Sequence, residues 1–251
     1  MMVLLPSTAK AQVGEHRSDL AVGASGGYVM SSIRFLPKIA QGQHGGPTAG
    51  ITVRYTCEKY FKSVCAIVGE VNVAQIGWKE NIQTAQDQPV PLRDPTTGDV
   101  VQGMYEEYSR TMTYLQVPVF ARLGWGRERQ GFQAFFQVGP QLCYNLSEKS
   151  SFNFDLDHPN MEWGGRVSPV VKQYFMPIEN RFDYGIAGGF GLEFSNRHIG
   201  HLMLEGRYYY GLGNIYGNSK RDYFAASNFQ NIIIKLSYLF DLARTNNKRI
   251  K

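Results

Sequence analysis

The chain has 251 residues, enough for one large domain or two small ones. Hydrophobic residues make up 43% of it, yet no run of about 18 apolar residues occurs, which excludes a transmembrane helix. The net charge of +5 is dispersed except over residues 244–251, so the clustered basic surface that nucleic acid requires is not expected.

Ala9-Lys10-Ala11 before Gln12 has the small-x-small form of a signal peptidase site, although the apolar part before it is short and lacks a basic start. A truncated signal peptide over residues 1–11 is therefore expected, with the mature domain from residue 12. From there on, apolar and polar residues alternate in eight segments, the period of a strand with two unlike faces. The first, residues 20–33, is Gly-rich and the least regular. The second sets Ala49, Ile51, Val53 and Tyr55 against Thr52 and Arg54, and the third sets Ile67, Val71 and Val73 against Glu70 and Asn72. The fourth opposes Leu115, Val117 and Val119 to Gln116 and Arg122; Pro118 within it lacks a ladder donor, which predicts a bulge.

The fifth segment sets Phe132, Phe136, Leu142 and Tyr144 against Gln133, Gln137 and Gln141. The sixth sets Phe182, Tyr184, Phe190 and Phe194 against Asp183 and Glu193, with small residues between. The seventh sets Leu202, Leu204, Tyr208 and Tyr210 against Glu205 and Arg207. The eighth, residues 229–240, places Ile232, Ile234, Leu236, Tyr238 and Phe240 on one face, with Asn231, Lys235 and Ser237 on the other. It ends on an aromatic, as a closing barrel strand does, and residues 241–251 follow as a basic tail.

The connections alternate strictly. They are short after segments two, four and six and long after one, three, five and seven, the longest being residues 145–179. Outer-membrane barrels show this rhythm because one side carries tight periplasmic turns and the other long external loops. A lipocalin-like barrel would alternate too, but with its apolar face inward. Tyr and Phe near the segment ends suit interfacial girdles. The opposite face carries Arg54, Glu70, Arg122, Asp183, Glu193, Glu205, Arg207 and Lys235, charges of both signs that would fill a narrow lumen with ion pairs. The predicted fold is all-β, an eight-stranded antiparallel up-and-down transmembrane β-barrel over residues 12–240, in contact with outer-membrane lipid.

Of the three cysteines, Cys57 and Cys65 flank a short turn with the parity of a cross-strand bridge, Cys143 being left over; three unpaired thiols are the plainer reading. His198-x-x-His201 has no Cys or carboxylate cluster beside it, and neither a metal nor a cofactor is expected. In the long loops, Phe152, Phe154, Met161 and Trp163 need a cover, either the barrel mouth or a docked partner. Asp155, Asp157 and His158 form an Asp-x-Asp-His cluster that would suit a rim hydrolase or a cation, but solvated loop acids are the commoner case. No catalytic residue is assigned.

Certain stretches carry a family likeness. Gly77-Trp78-Lys79-Glu80 follows Gly69-Glu70-Val71-Asn72, and Tyr114-Leu115-Gln116-Val117-Pro118 and Gly139-Pro140 come next. Phe182-Asp183-Tyr184-Gly185 precedes Glu205-Gly206-Arg207-Tyr208-Tyr209-Tyr210-Gly211-Leu212, and Asp222-Tyr223-Phe224 comes last. Over residues 20–240 the chain resembles the eight-stranded outer-membrane β-barrel family of Bacteroidetes and, within it, the PorT-like branch. The resemblance implies an outer-membrane location and a non-enzymatic accessory role in the type IX secretion system, with other secretion proteins as partners. A structural or surface-binding barrel of unrelated role is the alternative, and a rim-located hydrolase or acyltransferase a third.

Overall fold

The computed structural model describes residues 15–60, 62–94, 96–127, 130–161, 166–217 and 222–244. The expected leader, Trp163 and the tail beyond Arg244 lie outside these residues. Eight long strands form the wall: β1 (Glu15–Leu36), β2 (His44–Tyr60), β3 (Ser63–Glu80), β4 (Tyr108–Gly126), β5 (Gly131–Phe152), β6 (Phe182–Asn196), β7 (Gly200–Gly211) and β8 (Ala226–Ala243). Each pairs antiparallel with its sequence neighbours, and β1 pairs with β8, so the sheet closes into an up-and-down barrel. A two-residue strand, Gln41–Gly42, adds to the end of β3, and Pro91–Arg93 with Val100–Tyr105 makes a separate hairpin in the loop after β3.

The alternation resolves into inside and outside. On β8, Ile232, Ile234, Leu236, Tyr238 and Phe240 point outward, whereas Asn231, Lys235 and Ser237 are buried within the ring. An outward belt of this kind is stable only against hydrocarbon, because water would be left facing a continuous apolar surface. Most strands exceed the 9–11 residues or so that a bilayer requires, so they project beyond it, chiefly on the long-loop side. β8 likewise runs to Ala243, past the boundary expected at Phe240.

One local expectation is corrected and another is met. The register on either side of Pro118 is continuous in both ladders, and the irregularity in β4 lies at Thr113/Tyr114 instead. Pro118 takes a place in the wall without adding a residue to it, so the missing donor weakens a rung and does not shift the strand. The plainer reading of the cysteines holds: Cys57 falls in a bulge between Thr56 and Glu58, it is Glu58 that faces Cys65, and all three thiols are free.

Candidate functional site

The interior is the most densely charged part of the molecule. Halfway along the barrel, the Arg207 guanidinium (β7) donates to both oxygens of Glu70 (β3), at 2.9 and 3.0 Å, and to Glu205 Oε1 at 2.6 Å. Lys235 Nζ (β8) lies 2.7 Å from Glu70 and 3.4 Å from Glu205. Gln137 (β5) donates to Glu205 at 2.7 Å and Asn72 to Glu70 at 2.9 Å. Two cations and two carboxylates thus bridge opposite walls in a neutral clamp. Arg207 also lies 4.4 Å from the centroid of the Phe120 ring.

A second cluster lies toward the short-turn end. Glu193 (β6) accepts from Arg54 Nη1 (β2) at 2.7 Å and pairs with Arg122 (β4). His201 Nδ1 (β7) is 2.6 Å from Glu193 Oε1, and its Nε2 is 3.0 Å from Asp241 Oδ2 (β8), so the imidazole joins the lumen to the end of the last strand. The Arg122 guanidinium sits 3.8 Å over the Phe135 ring. Asp183 also faces inward but meets no cation among the described residues: the Tyr209 hydroxyl donates to it at 2.7 Å. The eight charged residues taken from the sequence are therefore all inside, in two clusters plus one isolated carboxylate.

Above the clamp the lumen turns apolar and the long loops close it. Phe35, Trp78, Tyr216 and Phe224 pack ring on ring, with centroids 5.2–6.2 Å apart from Phe35. Arg110 passes beneath, donating to the Met176 carbonyl at 2.7 Å and the Tyr216 hydroxyl at 3.0 Å. The loop after β5 is pinned by Arg166, which donates to the Tyr174 hydroxyl at 2.6 Å and pairs with Glu106 at 3.4 Å. Tyr174 in turn donates to Glu80 Oε2 at 2.7 Å. Burial pushes the Glu106 carboxyl above its ordinary range.

Of the four loop residues that need a cover, Phe154 finds it in the barrel mouth and is not available for docking. It is buried under the cap, its ring 5.7 Å from that of Tyr174, because the loop folds over the barrel mouth. Phe152 and Met161 are half exposed. The Asp-x-Asp-His cluster forms an exposed turn in which His158 Nδ1 lies 2.9 Å from Asp155 Oδ2. That hydrogen bond raises the His158 pKa and lowers that of Asp155. Among the described residues no group of three His, Cys, Asp or Glu is arranged to hold a metal.

The sequence weighs His201 only as half of a His-x-x-His pair; its place between Glu193 and Asp241 was missed, although His201 shares the inward parity of Glu205 and Arg207 and was open to the same inference. Arg166, Glu80, Glu106 and Tyr174 carried no such signal, since Arg166 and Tyr174 lie in an aperiodic loop. A family model described as outer membrane protein beta-barrel domain matches residues 10–217. No curated protein matches at a significant level. Solved structures similar to the chain include Ail, the attachment invasion locus protein of Yersinia pestis, in complex with the heparin analogue sucrose octasulfate, and the outer membrane protein OprG of Pseudomonas aeruginosa. Ail shares 12% identity over 90% of this chain and 99% of its own, with a TM-score of 0.35. For OprG the values are 11%, 90%, 98% and 0.39. At such scores neither likeness bears on the role of this chain.

Proposed function

The chain belongs to the outer membrane protein β-barrel domain family and is an outer-membrane protein, and we propose that it works there as a sealed, non-enzymatic barrel acting through contacts with other proteins. The observation that carries this reading is the filled interior. The clamp of Glu70, Arg207, Glu205 and Lys235 spans the lumen, and the Trp78 and Tyr216 cap closes the external end. An eight-stranded ring has room for side chains and little else, so passage of solute is the wrong use for it. Contact surface, by contrast, is plentiful: the hairpin in the loop after β3 exposes about half of Val100, Met104 and Tyr105.

The kind of contact follows from the sequence resemblance to PorT-like proteins, which supports an accessory role in type IX secretion with other secretion components as partners. The His158–Asp155 pair lines a loop pocket of about 210 Å³ together with Asp94, Glu106 and Asn160, and among the described residues no serine, threonine or cysteine lines it, which favours binding over hydrolysis at the rim. Deleting the gene and measuring export of cargo bearing the C-terminal signal tests the secretion role; undiminished export removes it. Reconstitution in a planar bilayer tests the seal, with no channel steps expected and ohmic conductance as the contrary result.

A further inference from the structure

The β6–β7 turn and the end of β8 enclose an open groove of about 470 Å³ at the short-turn end of the barrel. Its floor is apolar and faces outward. Ile199 is 58% exposed and Leu242 60%, with Tyr238 and Phe240 nearly as open. This floor continues the outward row Ile232, Ile234 and Leu236, so it lies where hydrocarbon gives way to headgroups. The groove's polar edge carries a net positive charge, Arg197 on the turn and Arg244 just past β8 against the single carboxylate of Asp241.

The turn is held in shape. Asn196 Oδ1 accepts the His198 N–H at 2.9 Å, and the Tyr238 hydroxyl donates to the Ile199 carbonyl. Gly200 has φ +100°, and a Cβ there would fall 2.5 Å from the Leu239 carbonyl oxygen. The acid of the groove, Asp241, is already engaged by His201 and by Arg244. Among the described residues Arg197 has no acidic partner.

We propose that this groove binds an anionic phospholipid of the periplasmic leaflet, its phosphate between Arg197 and Arg244 and its acyl chains along Tyr238, Phe240 and Leu242. A cationic edge above an apolar floor, at the level where the bilayer itself changes from polar to apolar, complements that molecule at both ends. A free phosphate would use the arginines and leave the floor bare, and a soluble peptide would have to enter hydrocarbon to reach it. The inference rests on the membrane location and is independent of the secretion reading.

Native mass spectrometry of the full chain in detergent, titrated with phosphatidylglycerol or phosphatidylcholine of identical chains, tests it. Phosphatidylglycerol is expected to bind more tightly. Arg197→Gln should weaken it about fivefold, and Arg197→Gln with Arg244→Gln about twentyfold, with phosphatidylcholine unchanged. Lys62→Gln with Arg127→Gln removes the same charge from the neighbouring turns and should leave binding intact. Equal binding of the two lipids, an unaffected Arg197→Gln, or an equal loss in the Lys62/Arg127 pair would each overturn the site. Because Arg197 has no acidic partner among the described residues, its single variant stays informative if the Arg244 change disturbs folding.

Discussion

The wall of this barrel is built for two solvents, and the change-over happens within single strands. In the belt, β3 turns Val71 and Val73 outward and Glu70 and Asn72 inward. Nearer the long loops the same strand turns Ile76 and Trp78 inward and Lys79 outward, in unbroken register with β4. β1 does the same, with Tyr28 outside in the belt but Ile33 and Phe35 inside and Arg34 outside above it. Backbone geometry fixes the period at two; the medium decides which parity is apolar. Against lipid, apolar groups face out and the interior must satisfy its own charges. Above the lipid, water lies outside and the interior becomes an ordinary core.

The two halves should therefore fail differently. Glu70→Leu leaves Arg207 and Lys235 short of a carboxylate inside the belt, and a buried pair broken on one side costs about 3–5 kcal/mol. Urea unfolding from detergent should show a loss of that size, and a near-neutral result would mean that the clamp contributes no uncompensated charge. Next in size, Val71→Lys on the lipid side of β3 should cost about 2–4 kcal/mol. Lys79→Val, on the same face of the same strand but in the cap, breaks only an exposed 3.2 Å pair with Glu107 and should stay within about 1 kcal/mol. Equal costs for the two would abolish the distinction between belt and cap.

The belt was far more legible in the sequence than the cap. Its strands, its closure and the inward parity of Arg54, Glu70, Arg122, Glu193, Glu205, Arg207 and Lys235 follow from period two and the rhythm of the connections. Which charges meet did not follow, because partners such as Arg54 and Glu193 lie on strands far apart in the ring and register cannot be read across a lumen. Asp183 looked like one more ion-pair member, yet it meets a tyrosine. The strand ends were read short for the same physical reason that makes the cap a cap: where polarity inverts, as from Asn72 to Ile76, a reader following the apolar face loses the strand. Phe154 and Arg166 come from a loop without periodicity, whose apolar residues signal burial but not where.

A finer test separates cap from belt by locality. Tyr174→Phe removes the hydroxyl that donates to Glu80 and accepts from Arg166, leaving two buried groups short of a partner at a cost of about 1–3 kcal/mol. The loss should appear as faster proteolysis within residues 153–181, while the barrel keeps its heat-modifiable migration. If heat-modifiability disappears with the hydroxyl, cap and belt form one cooperative unit.

The smallest effect is expected where neither solvent argument applies, at the exposed Asp155–His158 turn. The hydrogen bond from the ring holds the Asp155 pKa below its ordinary value, so what that acid contributes is present above the ordinary value and lost as pH falls through the lowered one. His158 is raised, so its contribution is complete below the ordinary histidine value and lost as pH climbs through the raised one. The turn is therefore held only between the two midpoints, and added salt should loosen it, in contrast to the buried clamp. NMR titration of the His158 ring should give a midpoint above 6.5 that moves back toward it in Asp155→Asn. A midpoint indifferent to that change would mean that the 2.9 Å contact does not persist in solution.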